Sequence, residues 1–357
     1  MNDIKHRLSA GKIFLFSALV VFLVLGGLEL SLRIWANYFR LAYLTYDAEH
    51  GRPALVPNAR VHTALEHVEV NSKGFVGPEF DKEKRKGTRR IISLGDSCTF
   101  AGGYYPRTYP GQLDVLIKKQ YPQEKIEVIN AGISGFNSDY ALERLKTELL
   151  DYDPDLVIIY IGWNDLMKVN PANPAATGRH SRLAQLLNQS YLVKAYSKFI
   201  FFYLRPLMMK PKLNVNTEQA EAFDHFIPQT YQSNLETMIE TLKTHGIKAV
   251  LFTLPTVVHP GMTYEDIERD HVIFPYYAGS YSVEKFLGML NTYNRAVETV
   301  ATKYEVQLVD LYNIINKYPK DDLFEDTMHP NAKGNGIIAG AVADALSDWV
   351  SNPSQRS

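Results

Sequence analysis

The chain of 357 residues holds a single cysteine, Cys98. No internal disulfide can form, and no thiolate cluster can hold a metal. Charge surplus is also missing: 38 Lys and Arg face 39 Asp and Glu, a net charge of −1. A nucleic-acid partner calls for a basic face, and this balance offers none. Internal repeats and low-complexity tracts are absent, which argues against solenoids and long linkers. What remains is a globular composition, 46% hydrophobic and 22% charged.

Apolar residues are concentrated near the start. Ile13 to Leu28 runs without a charge. As a helix it spans about 24 Å, short of a hydrocarbon core of ~30 Å. Extension to Leu32 reaches about 30 Å and places Glu29 close to the far interface. Arg33, Trp35 and Tyr38 follow, as an interfacial belt would. Lys5, Arg7 and Lys12 precede the run against only Asp3, which keeps the N-terminus in the cytoplasm. No Ala-x-Ala-like site follows, so the segment reads as an uncleaved anchor with the rest of the chain exported. Residues 1–36 are thus expected to be a cytoplasmic head and transmembrane anchor, and 37–88 a juxtamembrane connector. Within the connector, Val61, Thr63, Leu65, Val68 and Val70 suggest short strands near a hairpin. Asp81 to Gly87 is a charge run of the kind found on solvated loops.

From Arg89 strands and helices alternate. Ile91–Leu94, Ile126–Ile129, Asp155–Ile161, Ala249–Leu254 and Val306–Leu311 are strand-like. Helical spacing separates them, as in Leu113, Leu116 and Ile117, or Tyr231, Leu235, Met238 and Leu242. This is the pattern of an α/β domain with a parallel sheet covered on both faces. The domain is expected to cover 89–351. It is interrupted at 166–228, a length typical of a lid or subdomain, and more briefly at 256–282.

Chemistry gathers at the strand ends. The first apolar strand stops in Gly95-Asp96-Ser97. After the second comes Asn130-Ala131-Gly132-Ile133-Ser134-Gly135, after the third Gly162-Trp163-Asn164-Asp165, and well after the fifth Asp326-Thr327-Met328-His329. Each stretch alone also reads as a turn or helix cap. In this order, each beyond a strand, they fit acyl transfer. A serine hydroxyl needs a base, which His329 can be. Asp326, three residues earlier, can hold one imidazole nitrogen while the other faces Ser97. An oxyanion needs fixed donors: the Ser97 N–H, a glycine N–H and the Asn164 side chain.

These stretches resemble those of the SGNH hydrolases, also called GDSL esterases and lipases. The four letters correspond to Ser97, one glycine near the second strand, Asn164 and His329. The spacing from Asn130 to Gly135 is similar to the bacterial thioesterase and lysophospholipase branch, which makes Gly135 the oxyanion glycine in preference to Gly132. The resemblance covers about Arg89 to Val350. It implies a flavodoxin-like three-layer α/β/α fold, with Ser97, Asp326 and His329 catalytic and with Ser97, Gly135 and Asn164 forming the oxyanion hole. It implies no metal and no cofactor. His225, His245, His259 and His271 likewise show no recognised ligand spacing. Two departures stand out: Cys98 in place of the motif's leucine, and the long insertion.

The expected function is a membrane-anchored, extracytoplasmic serine esterase. It would cleave acyl esters, O-acetyl among them, of a glycan or a lipid. The same triad also suits an O-acyltransferase acting on envelope polysaccharide or lipid, and a vestigial site would leave a non-catalytic glycan-binding protein. Within the insertion, Ser190 to Arg205 is strongly apolar, with Lys194 and Lys198 on one helical face and Arg205 near register. That reads either as a helix packed over the core or as a lid dipping into the bilayer surface.

Overall fold

The computed structural model describes residues 9–38, 43–62, 67–168, 190–200, 226–274 and 283–352. Most of the insertion, with Arg205 and His225, therefore lies outside the described residues, as do Tyr276, Tyr277 and Tyr281 of the shorter interruption. The chain forms two compact units, 1–42 with 180–210 and 43–179 with 211–357.

The smaller unit is built on α1 (Ala10–Tyr38). Within it, Gly11–Ile34 is long and apolar enough to cross a membrane. Its side chains are exposed from Phe14 to Leu30 apart from Glu29. Glu29 meets α6 (Tyr191–Phe199). One carboxylate oxygen accepts from the Tyr191 N–H at 3.0 Å, and the other from the Leu192 N–H and the Ser190 hydroxyl, both at 2.8 Å. Arg33, one turn further on, donates to Glu29 at 2.7 Å and lies 5.4 Å from the centroid of the Tyr191 ring. A helix start leaves N–H groups without intrahelical acceptors. Here a carboxylate 161 residues away in sequence supplies the acceptor.

The larger unit opens with two short hairpins, β1 (Leu44–Asp47) with β2 (Arg52–Leu55), and β3 (Arg60–His62) with β4 (His67–Glu69). A five-stranded parallel sheet follows: β5 (Arg89–Gly95), β6 (Ile126–Gly132), β7 (Leu156–Tyr160), β8 (Lys248–Phe252) and β9 (Gln307–Val309). All five lie where the apolar runs place them. Their order, β6-β5-β7-β8-β9, is the flavodoxin-like 2-1-3-4-5 arrangement. Of the helical layers, one pairs α3 (Tyr109–Gln120) with α9 (Ala332–Ala345). The other joins α7 (Gln229–Thr244) to α4 (Ser138–Thr147) and α8 (Val283–Tyr304).

The strands run past their apolar cores. β5 begins two residues before Ile91, with Arg89 and Arg90 both buried. Arg90 donates to Glu127 and to the carbonyls of Asp81, Lys82 and Tyr152. Buried guanidinium is tolerated because every donor direction is filled. The charge run at 81–87 is therefore only partly a solvated loop: its backbone carbonyls serve Arg90, and Lys84 pairs with Asp155 at 2.8 Å. Residues 70–76 are also more than a tether. Val70, Phe75 and Val76 are buried, and Val76 bridges to Asn130 of β6.

If Glu29 holds the start of α6, Glu29→Ala should loosen it by about 0.5–2 kcal/mol, the range for a lost cap. Limited proteolysis of the full chain in detergent should then cut within 190–200 faster than in the wild type, with cuts in the larger unit unchanged.

Candidate active site

Parallel pairing levels three strand ends. Gly95 of β5 stands opposite Gly132 of β6 and Tyr160 of β7. The first of these strands and the third flank the point where strand order reverses, the usual ligand crevice of such sheets. Close approach dictates the glycines. A Cβ on Gly95 would meet the Tyr160 carbonyl oxygen at 2.5 Å and the Thr99 side chain. A Cβ on Gly132 would strike the Thr99–Phe100 backbone. Gly132 is thus the last residue of β6 with a packing role, and Gly135 lies in the turn beyond.

Ser97 opens α2 (Ser97–Phe100) directly after β5. Asp96 caps this short helix, accepting from the Cys98 N–H at 2.9 Å, and burial pushes the Asp96 carboxyl up to about 6. Its first-turn position leaves the Ser97 N–H with no intrahelical acceptor. Asn130 braces the far end of α2, donating to the Thr99 carbonyl at 2.8 Å.

His329 Nε2 lies 2.8 Å from Ser97 Oγ, and His329 Nδ1 lies 2.7 Å from Asp326 Oδ2. With Nδ1–H donating to the carboxylate, Nε2 is left to accept from the serine hydroxyl. Asp326 also accepts from the N–H groups of Met328 and His329, both at 3.0 Å. Burial raises its carboxyl, but the His329 bond and charge and these N–H donors outweigh that and hold it below its ordinary value. For His329 burial acts downward, yet the Asp326 hydrogen bond and charge leave the imidazole above its ordinary value.

The loop carrying both residues is fixed from outside. Buried Thr327 donates to the Ile273 carbonyl at 3.0 Å and its carbonyl accepts from the Thr256 hydroxyl at 2.6 Å. Thr327 is one of the residues that sequence spacing passes over, because its partners lie beyond β8.

The other expected donors come from the flanking strand ends. Gly135 sits third in the turn Ile133 to Phe136, closed by the Phe136 N–H to the Ile133 carbonyl at 3.2 Å. Its φ of +84° favours glycine. Asn164 is the second residue of α5 (Trp163–Lys168), just beyond β7. Asp165 joins the two loops. It accepts from the Ser138 hydroxyl at 2.6 Å and N–H at 3.0 Å, and burial pushes its carboxyl up to about 7. Asp165 is thus more than the cap its sequence position suggests.

The thiol next to Ser97, that of Cys98, is shielded. It is buried, donates to the Met328 carbonyl at 3.3 Å, and burial pushes the thiol well above its ordinary value.

The GDSL-like Lipase/Acylhydrolase family model matches residues 93–337. Among curated proteins, the chain is 24% identical over 232 residues to the uncharacterized lipoprotein YqeF of Bacillus subtilis, covering 63% of this chain and 71% of that one. It is 32% identical over 108 residues to an arylesterase of Vibrio mimicus, covering 29% of this chain and 52% of the relative. Solved structures with a like fold include an acetyl xylan esterase mutant from Geobacillus stearothermophilus (19% identity, 72% of this chain and 94% of that one, TM-score 0.46). A lipase/acylhydrolase from Enterococcus faecalis is another (18% identity, 73% and 97%, TM-score 0.44). The chain belongs to the GDSL-like lipase/acylhydrolase family, whose members are hydrolases acting on ester bonds.

A base must be neutral to take a proton. Ester turnover, read as kcat/KM, should therefore rise with pH through a midpoint above the ordinary histidine value of about 6.5. Asp326→Asn removes the influence that raises His329 and leaves the burial that lowers it. A pH-rate profile should then show the midpoint moved down and the plateau lowered on the order of 10⁴-fold.

Proposed function

Starting from that family membership, we propose that the chain is a membrane-anchored serine esterase that cleaves acyl esters through an acyl-enzyme. The observation that carries the reading is the continuous chain of contacts from Ser97 Oγ through His329 to Asp326. Ser97 Oγ attacks the acyl carbonyl while its proton passes to His329 Nε2. The tetrahedral oxyanion is received by the Ser97 and Gly135 N–H groups and by Asn164. As the C–O bond to the alcohol breaks, His329 returns the proton to the leaving oxygen. Water then attacks the acyl-enzyme by the same route and frees the acid.

The anchor reading rests on α1 and on its tie to α6. A cleaved leader leaves the mature protein, whereas Glu29 is bound to residues 190–192. Basic residues before the apolar run orient the N-terminus to the cytoplasm and the larger unit to the outside. The described part of the insertion is helical at 191–199. The substrate class, an acyl ester of a glycan or a lipid with O-acetyl included, is part of the same proposal. The Vibrio mimicus relative is named an arylesterase, so p-nitrophenyl esters are the first substrates to try.

Full-length protein in detergent should be labelled by a fluorophosphonate and should hydrolyse p-nitrophenyl acetate, and Ser97→Ala should lose both. Asn164→Ala should keep its fold and lose on the order of 10²–10³ in kcat. Acyl transfer to an added glycan in place of release as free acid would replace the esterase reading with the transferase one. In cells, the chain should stay with membranes through an alkaline carbonate wash. A C-terminal phosphatase reporter that works only outside the cytoplasm should be active.

A further inference from the structure

Away from the Ser97 site, the hairpin of β3 and β4 carries two histidines and a carboxylate at one spot. His62 and His67 are directly paired across the hairpin, and Glu69 follows His67 by two residues, on the same face of β4. His67 Nε2 lies 3.0 Å from Glu69 Oε1, and His62 Nε2 lies 3.5 Å from the same oxygen. The three ligand atoms all fall within 4.8 Å of one another. In a tetrahedral site with bonds of about 2.0–2.2 Å, neighbouring ligand atoms sit roughly 3.3–3.6 Å apart. The His62–Glu69 edge, 3.5 Å, already matches that spacing, and the His67–Glu69 edge, a 3.0 Å hydrogen bond, needs to lengthen by a few tenths of an ångström. The third closes by turning the His62 ring, which stands on the outer, exposed side of its strand.

All three side chains are partly open to water, with relative exposures of 52%, 40% and 43%. Exposed ion pairs contribute little to stability, so the pairing does not itself account for two imidazole edges held on one carboxylate oxygen. The His62 and His67 rings lie 4.0 Å apart between centroids, and Tyr104 packs at 4.0 Å on His67. Tyr104 thereby sets the orientation of the His67 ring, as a supporting neighbour does for a metal-ligating histidine.

We propose that His62, His67 and Glu69 bind a zinc ion, with water at the fourth position. Two imidazoles and a carboxylate are a borderline ligand set suited to zinc and poorly suited to magnesium or calcium. With one position open to water the site is not a closed four-ligand one, and the ion's effect here is that of a crosslink. It ties together the two strands of the hairpin, which are only three residues each. It also reaches the loop after the nucleophile helix, because Val68 of the same hairpin fills the space beside Gly103, 2.7 Å from where a Cβ on that glycine would stand. No part of the ester chemistry passes through it, so the proposal stands or falls apart from the esterase reading.

The test uses the full chain in detergent, without a polyhistidine tag and stripped with a chelator. Zinc chloride titrated by calorimetry should bind one ion per chain and raise the unfolding temperature. The double variant His62→Ala/His67→Ala should weaken zinc at least ~tenfold and abolish the thermal shift, as expected for loss of two of three protein ligands. Glu69→Gln should weaken it too. His245→Ala, which removes an exposed histidine on another element, should bind like the wild type. Chelated double variant and chelated wild type should unfold at similar temperatures, which separates a lost ligand from a damaged hairpin. Stoichiometric zinc retained by the double variant, or no zinc binding by the wild type at micromolar concentration, would overturn the proposal.

Discussion

The level ends of three parallel strands are the constraint on which the rest of the larger unit depends. Gly95 pairs with both Gly132 and Tyr160, so whatever follows these residues emerges at one edge of the sheet. The edge is crowded. Side chains at Gly95 or Gly132 would collide with the backbone of a neighbouring strand or of α2. Because these positions stay bare, α2 can sit tight against β5 and β6 and turn Ser97 outward. The histidine loop is then brought to Ser97 by contacts of its own, through Thr327 to Thr256 and Ile273. Rigid packing behind and hydrogen bonding at the side leave the serine–histidine distance little freedom, which is what preorganised catalysis asks of a scaffold.

Much of this was legible in the sequence because the informative signals are local. Five apolar runs mark five strands, and the strand ends carry short motifs whose chemistry is plain. Asp326 and His329 are three residues apart, so their pairing needs no knowledge of the fold. What sequence could not supply are the partnerships made across the chain. Arg89 and Arg90 precede the apolar run Ile91–Leu94, yet both are buried within β5, since their hydrogen-bond partners come from 81–82, 124, 127, 152 and 349–350. Asp165 reads as a helix cap until Ser138 is placed beside it.

The histidines teach the same lesson. Spacing along the chain picks out no ligand pair among His225, His245, His259 and His271. His62 and His67 are five apart, an interval with no helical meaning, and only the hairpin register sets them face to face. In a strand pair, proximity is counted across the turn, and the register rests on turn geometry as well as on the hydrophobic pattern.

Glu29 carries a further consequence. Its carboxylate satisfies the start of α6, so the apolar helix and the described helix of the insertion belong to one compact unit. Trimming the chain to a soluble catalytic fragment would remove more than a tether. It would uncap a helix that begins at Tyr191 and strip Arg33 from its aromatic neighbour. Swapping α1 or α6 alone between homologues would separate a carboxylate from the N–H groups it serves.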